Sequence, residues 1–165
     1  MRIIGIDPGT AIMGWGIIEA DGSDLSMVAY GAFTTPAKQP LPDRLVSIYN
    51  DLAHVLAEYR PVVAAVEELF FAKNVTTAMA VSHARGVALL ALRQAKLPIF
   101  EYKPLSVKQA VVGYGNADKK QMQHLVQMTL NLDHIPKPDD AADALAVAMC
   151  HAYAAPYLNR IQEDS

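Results

Sequence analysis

An α/β fold, built on a mixed β-sheet flanked by helices, is the architecture this sequence predicts. Three observations carry the prediction. Three β-rich stretches open the chain, and the turn signal Asp21-Gly22 joins the second to the third as a hairpin. After them, segments with helical spacing alternate with short apolar runs, the pattern of strands connected through helices. The run Val62 to Val66 is apolar throughout, as expected of a strand covered on both faces. With 165 residues, the chain is expected to form one domain over residues 1–153, followed by a tail at 154–165.

The elements follow in order. Arg2 to Ile6 reads as the first strand, stopped by Pro8-Gly9. Met13 to Glu19 and Leu25 to Thr34 complete an antiparallel three-strand start. Thr35 to Pro42 reads as a connection. From Asp43 to Arg60 the apolar residues Leu45, Ile48, Leu52, Val55 and Leu56 recur at helical spacing, and Pro61 ends the run. Val62 to Val66 is the fourth strand, and Phe70 to Asn74 a loop. The stretch from Val75 to Ala95 is long, helical and rich in small residues suited to close packing against another helix. Pro98 to Tyr102 is a short strand. Ser106 to Val112 and Asp118 to Leu130 read as helices around the segment Gly113-Tyr114-Gly115-Asn116. Asp139 to Tyr153 is the last helix.

Composition narrows the function. No apolar run reaches the ~18 residues of a membrane span, and nothing at the start reads as a signal, so a cytoplasmic location without membrane contact is expected. The single cysteine, Cys150, rules out an internal disulfide and a cysteine-rich zinc site, and is expected to pack in the core. The five histidines show no paired metal-ligand spacing, and neither a nucleophile elbow nor a phosphate loop of the Walker kind occurs. Net charge is −3, yet the segment Phe70 to Leu125 carries +6 and the remainder −9. That asymmetry fits either one basic surface on an acidic body or lysine-bearing solvated helix faces.

The acids are the most informative residues. Asp7 ends the first strand before Pro8 and Gly9, and also suits a turn. Glu67 and Glu68 end the fourth strand and point to opposite faces, so spacing does not choose between them. Asp140 and Asp143 share one helix face, where a first-turn dipole role competes with a ligand role. If the first and fourth strands are parallel neighbours, their ends meet where α/β folds place their chemistry. Four gathered carboxylates would repel, take up protons, or hold two hard divalent ions such as Mg²⁺. Such an ion pair, about 3.5–4 Å apart, serves phosphodiester hydrolysis.

The ordered set Gly5-Ile6-Asp7-Pro8-Gly9, Val66-Glu67-Glu68-Leu69-Phe70, Ala84-Arg85-Gly86, Val107-Lys108-Gln109 with Gly113, and Asp140-Ala141-Ala142-Asp143-Ala144-Leu145 resembles the RuvC family of Holliday-junction resolvases, within the ribonuclease H-like superfamily. The resemblance covers roughly Met1 to Ala152. It implies a ribonuclease H-like fold and an endonuclease that cuts four-way DNA junctions in recombination and repair. It also implies paired symmetric nicks, 5′-phosphate products and a homodimer. Asp7, Glu67, Asp140 and Asp143 match its catalytic, metal-binding positions, and the match selects Glu67 over Glu68. The implied cofactor is Mg²⁺, two ions per site, with Mn²⁺ as a substitute. Lys108 and Lys119 match DNA-binding positions, with Lys119 also serving cleavage, and Phe70 matches an aromatic that stacks on a base near the crossover. A branch-migration motor is a further candidate partner.

Three other readings compete, and one of them, a non-catalytic junction-binding module, is made unattractive by the four acids. A ribonuclease H-like nuclease of the YqgF type would act on RNA, and the Phe70 loop and long small-residue helix argue against it. An actin-like ATPase shares the Gly-Ile-Asp-Pro-Gly-Thr loop but uses two lobes, and this chain is expected to hold one.

Overall fold

The computed structural model describes residues 1–68 and 75–163; for 75–77 and 159–163 it describes the backbone alone. The strands are β1 (Arg2–Asp7), β2 (Ile12–Asp21), β3 (Asp24–Thr34), β4 (Val63–Glu67) and β5 (Ile99–Tyr102). The helices are α1 (Leu41–Tyr59), α2 (Val75–Gln94), α3 (Pro104–Val112), α4 (Lys119–Thr129) and α5 (Asp139–Glu163). The sheet order is β3-β2-β1-β4-β5. The first three strands form an antiparallel meander, and β1, β4 and β5 run parallel. This is the mixed sheet the sequence predicts, with the hairpin turn at Gly22 in the left-handed region at φ 59°.

Alternation along the strands builds two cores. Ile4, Ile6, Met13, Ile17, Ala64 and Val66 face α1 and α2, while Ile3, Ile18, Val63 and Ala65 face α5. On the α5 side, α3 and α4 form a further layer over the helix. Between them α5 is apolar on every side, and each residue from Ala144 to Met149 is fully buried.

Glycines let α5 lie this close. A methyl group at Gly5 would overlap the Ala144 carbonyl oxygen, and one at Gly14 would overlap that of Asp140. These two positions press the start of α5 directly onto β1 and β2.

Several boundaries differ from the sequence reading. Helix α1 starts at Leu41, because Pro42 suits a first turn, where no backbone N–H is needed. Pro104 likewise begins α3 two residues earlier than expected. The last helix runs past Tyr153, through Pro156, to Glu163. Tyr153 closes the strongly apolar stretch and Pro156 is a helix-breaking signal, yet Ala155 is still buried and packing carries the helix onward.

Candidate active site

Asp7 is the last residue of β1, and Glu67 the last of β4. The two strands are parallel neighbours, with Ile6 paired to Val66, so the two acids stand side by side at one end of the sheet. Val63 and Ala65 face α5, and the pleat puts Glu67 on that same face. The next residue, Glu68, instead continues the backbone ladder by donating its N–H to the Tyr102 carbonyl at 2.8 Å. Asp7 shares the face of Ile3 and Gly5 and looks toward the first turns of α5, where Asp140 and Asp143 lie. The Gly14 contact holds that turn against β2, directly across from Asp7, since Asp7 and Gly14 are paired.

Electrostatics reports this crowding. The Asp7 carboxyl is pushed up from 3.8 to about 9, by burial first and then by the charges of Glu67 and Asp143. The neighbouring Glu67 carboxyl further favours the protonated form of Asp7, and Asp7 in turn lowers Glu67. Burial also raises Glu67, against the lowering pull of Lys108 and Lys119. Asp143 is raised by burial despite its contact with Lys119.

Lys119 opens α4, behind a capping box in which the Asp118 side chain and Gln121 hydrogen-bond reciprocally. Its Nζ lies 3.2 Å from Asp143 Oδ2 and 3.5 Å from Asp139 Oδ2. Burial alone would lower the Lys119 ammonium, but Asp143 and Asp139 outweigh it and raise it. Lys108, on α3, is near enough for its charge to lower Glu67. The basic segment thus delivers two of its lysines to the acid cluster. Phe70 lies outside the described residues.

Four carboxylates at one sheet end form an all-oxygen donor set suited to hard divalent ions. The rise of the buried Asp7 carboxyl beside Glu67 and Asp143 reflects repulsion that a cation would relieve. Among the described residues, no three acids or histidines yet converge into a finished ligand cage. Asp143 is turned to Lys119, whose Nζ lies 3.2 Å from its Oδ2. The residues fit a metal site in charge and chemistry.

The family model described as "Crossover junction endodeoxyribonuclease RuvC" matches residues 3–151. The chain belongs to the RuvC family. The RuvC of Chloroflexus aggregans is 62% identical over 160 residues, covering 97% of this chain and 98% of its own. Thermus thermophilus RuvC in complex with a Holliday junction substrate superposes with a TM-score of 0.90 at 34% identity, covering 95% of this chain and 96% of that one. The yeast mitochondrial Holliday junction resolvase Ydc2 shares the fold at a TM-score of 0.67 and 14% identity, covering 98% of this chain and 83% of that one. The fold is ribonuclease H-like, and the protein is a crossover junction endodeoxyribonuclease acting on Holliday junctions in recombination and repair. The RNA-directed and ATPase readings are not favoured.

Two features escaped the sequence reading. Gly5 and Gly14 set the height of α5 above the sheet and so the position of Asp140. Glycines inside strands are a signal of close backbone approach, and they were there to be used. Arg44 and Asp140 line one cleft on the α1 side.

Proposed function

We propose that the protein resolves four-way DNA junctions as a homodimer, with Asp7, Glu67, Asp140 and Asp143 holding two Mg²⁺ ions at each active site. The observation that carries this reading is geometric: Asp7 and Glu67 end paired parallel strands, across from the first turns of α5 that carry Asp140 and Asp143. When bound, the ions supply Lewis acidity at the scissile phosphate and make an attacking water more acidic. The chain's own residues do the rest. Asp7, central in the cluster, would hold the ions as a carboxylate, its proton released to solvent. Glu67 and Asp143 flank it, and Asp140 completes the set from the first turn of α5. Lys119 neutralises charge on the scissile phosphate, and Lys108 engages the backbone. Phe70 stacks on a base opened near the crossover. Residues 1–153 form the nuclease domain and 154–165 its tail.

A symmetric substrate calls for a symmetric enzyme. Helix α2 exposes Met79, His83, Gly86 and Leu90 along one stripe, with Met79 58% and Leu90 54% exposed. A methyl at Gly86 would meet nothing in the same protomer, so the small residue leaves room for a partner. Two such protomers would place paired nicks of like polarity, leaving 5′-phosphates. A branch-migration motor would be a further partner, and the cytoplasm the site of action. Among the described residues, no helix is long and apolar enough to cross a membrane.

A cleavage assay tests the reading. Synthetic four-way junction, linear duplex and RNA–DNA hybrid are each incubated with and without Mg²⁺. Junction cutting that needs the metal, in symmetric pairs, is expected; metal-independent cutting or preference for the hybrid overturns it. Sedimentation should report about twice 17.9 kDa at micromolar concentration.

A further inference from the structure

A cleft of about 510 Å³ opens beside the acid cluster, on the side of α1 and α2. Gly9, Thr10, Arg44, Ala80 and Asp140 are among the residues that line it. Asp140 therefore belongs both to the acid cluster and to the rim of this cleft. Arg44 is the cationic member of the lining, and it sits outside the basic segment that carries Lys108 and Lys119.

The guanidinium is fixed by a relay of hydrogen bonds. Its Nε donates to Thr35 Oγ1 at 2.7 Å. Thr35 Oγ1 donates to the Thr10 carbonyl at 2.6 Å, and Thr10 Oγ1 donates to the Ala80 carbonyl. Thr10 and Thr35 are both buried. The relay ties the loop after β1 to α1, to the end of β3 and to α2. It uses only the Nε side of Arg44. Among the described residues no carboxylate pairs with this arginine, whereas Arg2 pairs with Glu19, Arg85 with Glu101, and Lys119 with Asp143. An arginine held through Nε and lining a cleft keeps its other N–H groups for the fork that matches two oxygens of a phosphate.

We infer that Arg44 binds a backbone phosphate of the cut DNA strand, one neighbouring the scissile phosphate, and so fixes the strand's register over the acid cluster. This rests on the junction-cleaving reading above and extends it. Two points favour a phosphate ligand. The DNA strand that reaches the acids carries a regular series of phosphates. Phosphate contacts fix position without reading sequence, the role open to an arginine anchored beside the acid cluster. Arg44 is thus a positioning residue, touching the substrate away from the reacting atoms.

The test uses the full-length protein and junctions in which single phosphates near the cut site are replaced by neutral methylphosphonates. Binding is measured without divalent metal, for wild type, Arg44→Gln and Arg44→Lys. One replaced phosphate should weaken wild-type binding about tenfold, the scale of a charge-assisted contact. The same replacement should cost Arg44→Gln nothing, because its contact is already lost. Arg44→Gln should also flatten the salt dependence of binding by about 0.9 in slope. Arg44→Lys keeps the charge but not the fork, and should fall between; it also keeps the test decisive if Arg44→Gln folds poorly. If every methylphosphonate costs all three proteins equally, the inference is overturned and Arg44 merely ties α1 to the sheet. Failure of the underlying reading looks different: wild type would then bind four-way and linear DNA alike.

Discussion

Replacing Asp7 with Asn should yield a protein that is more stable without metal at alkaline pH and inert as a nuclease. The folded Asp7 carboxyl titrates at about 9 rather than 3.8, because of burial and then of Glu67 and Asp143. Between those values the folded state holds a proton that the unfolded chain has released. The derivative of unfolding free energy with pH follows protons bound unfolded minus folded, and here that difference is negative. Stability from this group is therefore complete below about pH 4 and is lost as pH rises towards about 9. The slope from one group is at most about 1.4 kcal/mol per pH unit. From about pH 5 to 8 the ceiling is about 4 kcal/mol, and the partial exposure of Asp7 lowers it. Glu67 and Asp143 are raised as well and contribute with the same sign. The difference between wild type and Asp7→Asn isolates Asp7.

Urea unfolding in chelator at several pH values measures this. Wild type should lose stability with rising pH, and Asp7→Asn should lose distinctly less. The amide can still donate to Glu67, so the contact survives while the titration does not. Adding Mg²⁺ at pH 8 should stabilise wild type, by about 2.7 kcal/mol at a hundredfold excess over Kd, and Asp7→Asn far less. Cleavage by the variant should vanish while junction binding persists. Parallel pH profiles for the two proteins, or cutting by the variant at the wild-type rate, would refute the clustered-acid account.

Three further outcomes are expected. Gly14→Ala drives a methyl into the Asp140 carbonyl; it should cost about 1–3 kcal/mol in thermal unfolding and reduce cleavage about a hundredfold, the scale of a displacement near 1 Å, and unchanged cleavage would free the site from the height of α5. Lys119→Ala should lower the cleavage rate on saturating junction with little change in melting temperature, because its ammonium is 53% exposed; an unchanged rate and salt slope would return Lys119 to the solvated surface. Phe70→Ala should reduce junction cleavage far more than binding to linear duplex while leaving melting nearly unchanged; a loss of about 3–5 kcal/mol in stability would place Phe70 in the core.

The sheet was legible because its signals are local. Turn residues punctuate β1 to β3, and the apolar run of β4 marks a strand covered on both faces. Asp7 and Glu67 were legible as acids interrupting apolar strands. The choice between Glu67 and Glu68 was not legible in the spacing, since it depends on which face of β4 meets α5, a tertiary fact; only the family resemblance selected Glu67. Strand pairing then puts Val63, Ala65 and Glu67 on the α5 side. The C-terminal reach of α5 was hidden by Pro156, whose local preference is overridden by burial of the flanking turn. Arg44 was invisible for another reason. Its charge lies outside the basic segment, and only the folding of α1 against Thr35 brings it to the cleft that Asp140 also lines.

The repulsion among the acids persists because of where they are mounted. An acid on a loop could swing into water and relax. Asp7 and Glu67 instead end paired parallel strands, and Asp140 and Asp143 ride a helix whose next turns are wholly buried. Moving any backbone here would open the core under α5, and a cavity in a packed core costs several kcal/mol. Packing therefore outweighs the electrostatic penalty and holds the carboxylates together at a proton's expense. Asp143 shows the freedom that remains: its backbone is fixed, but its side chain turns outward to Lys119, which is itself half-exposed. The fold thus fixes the acids' backbones and leaves rotamers and protons to adjust, so loading a cation would need changes in side chains and no change in the sheet.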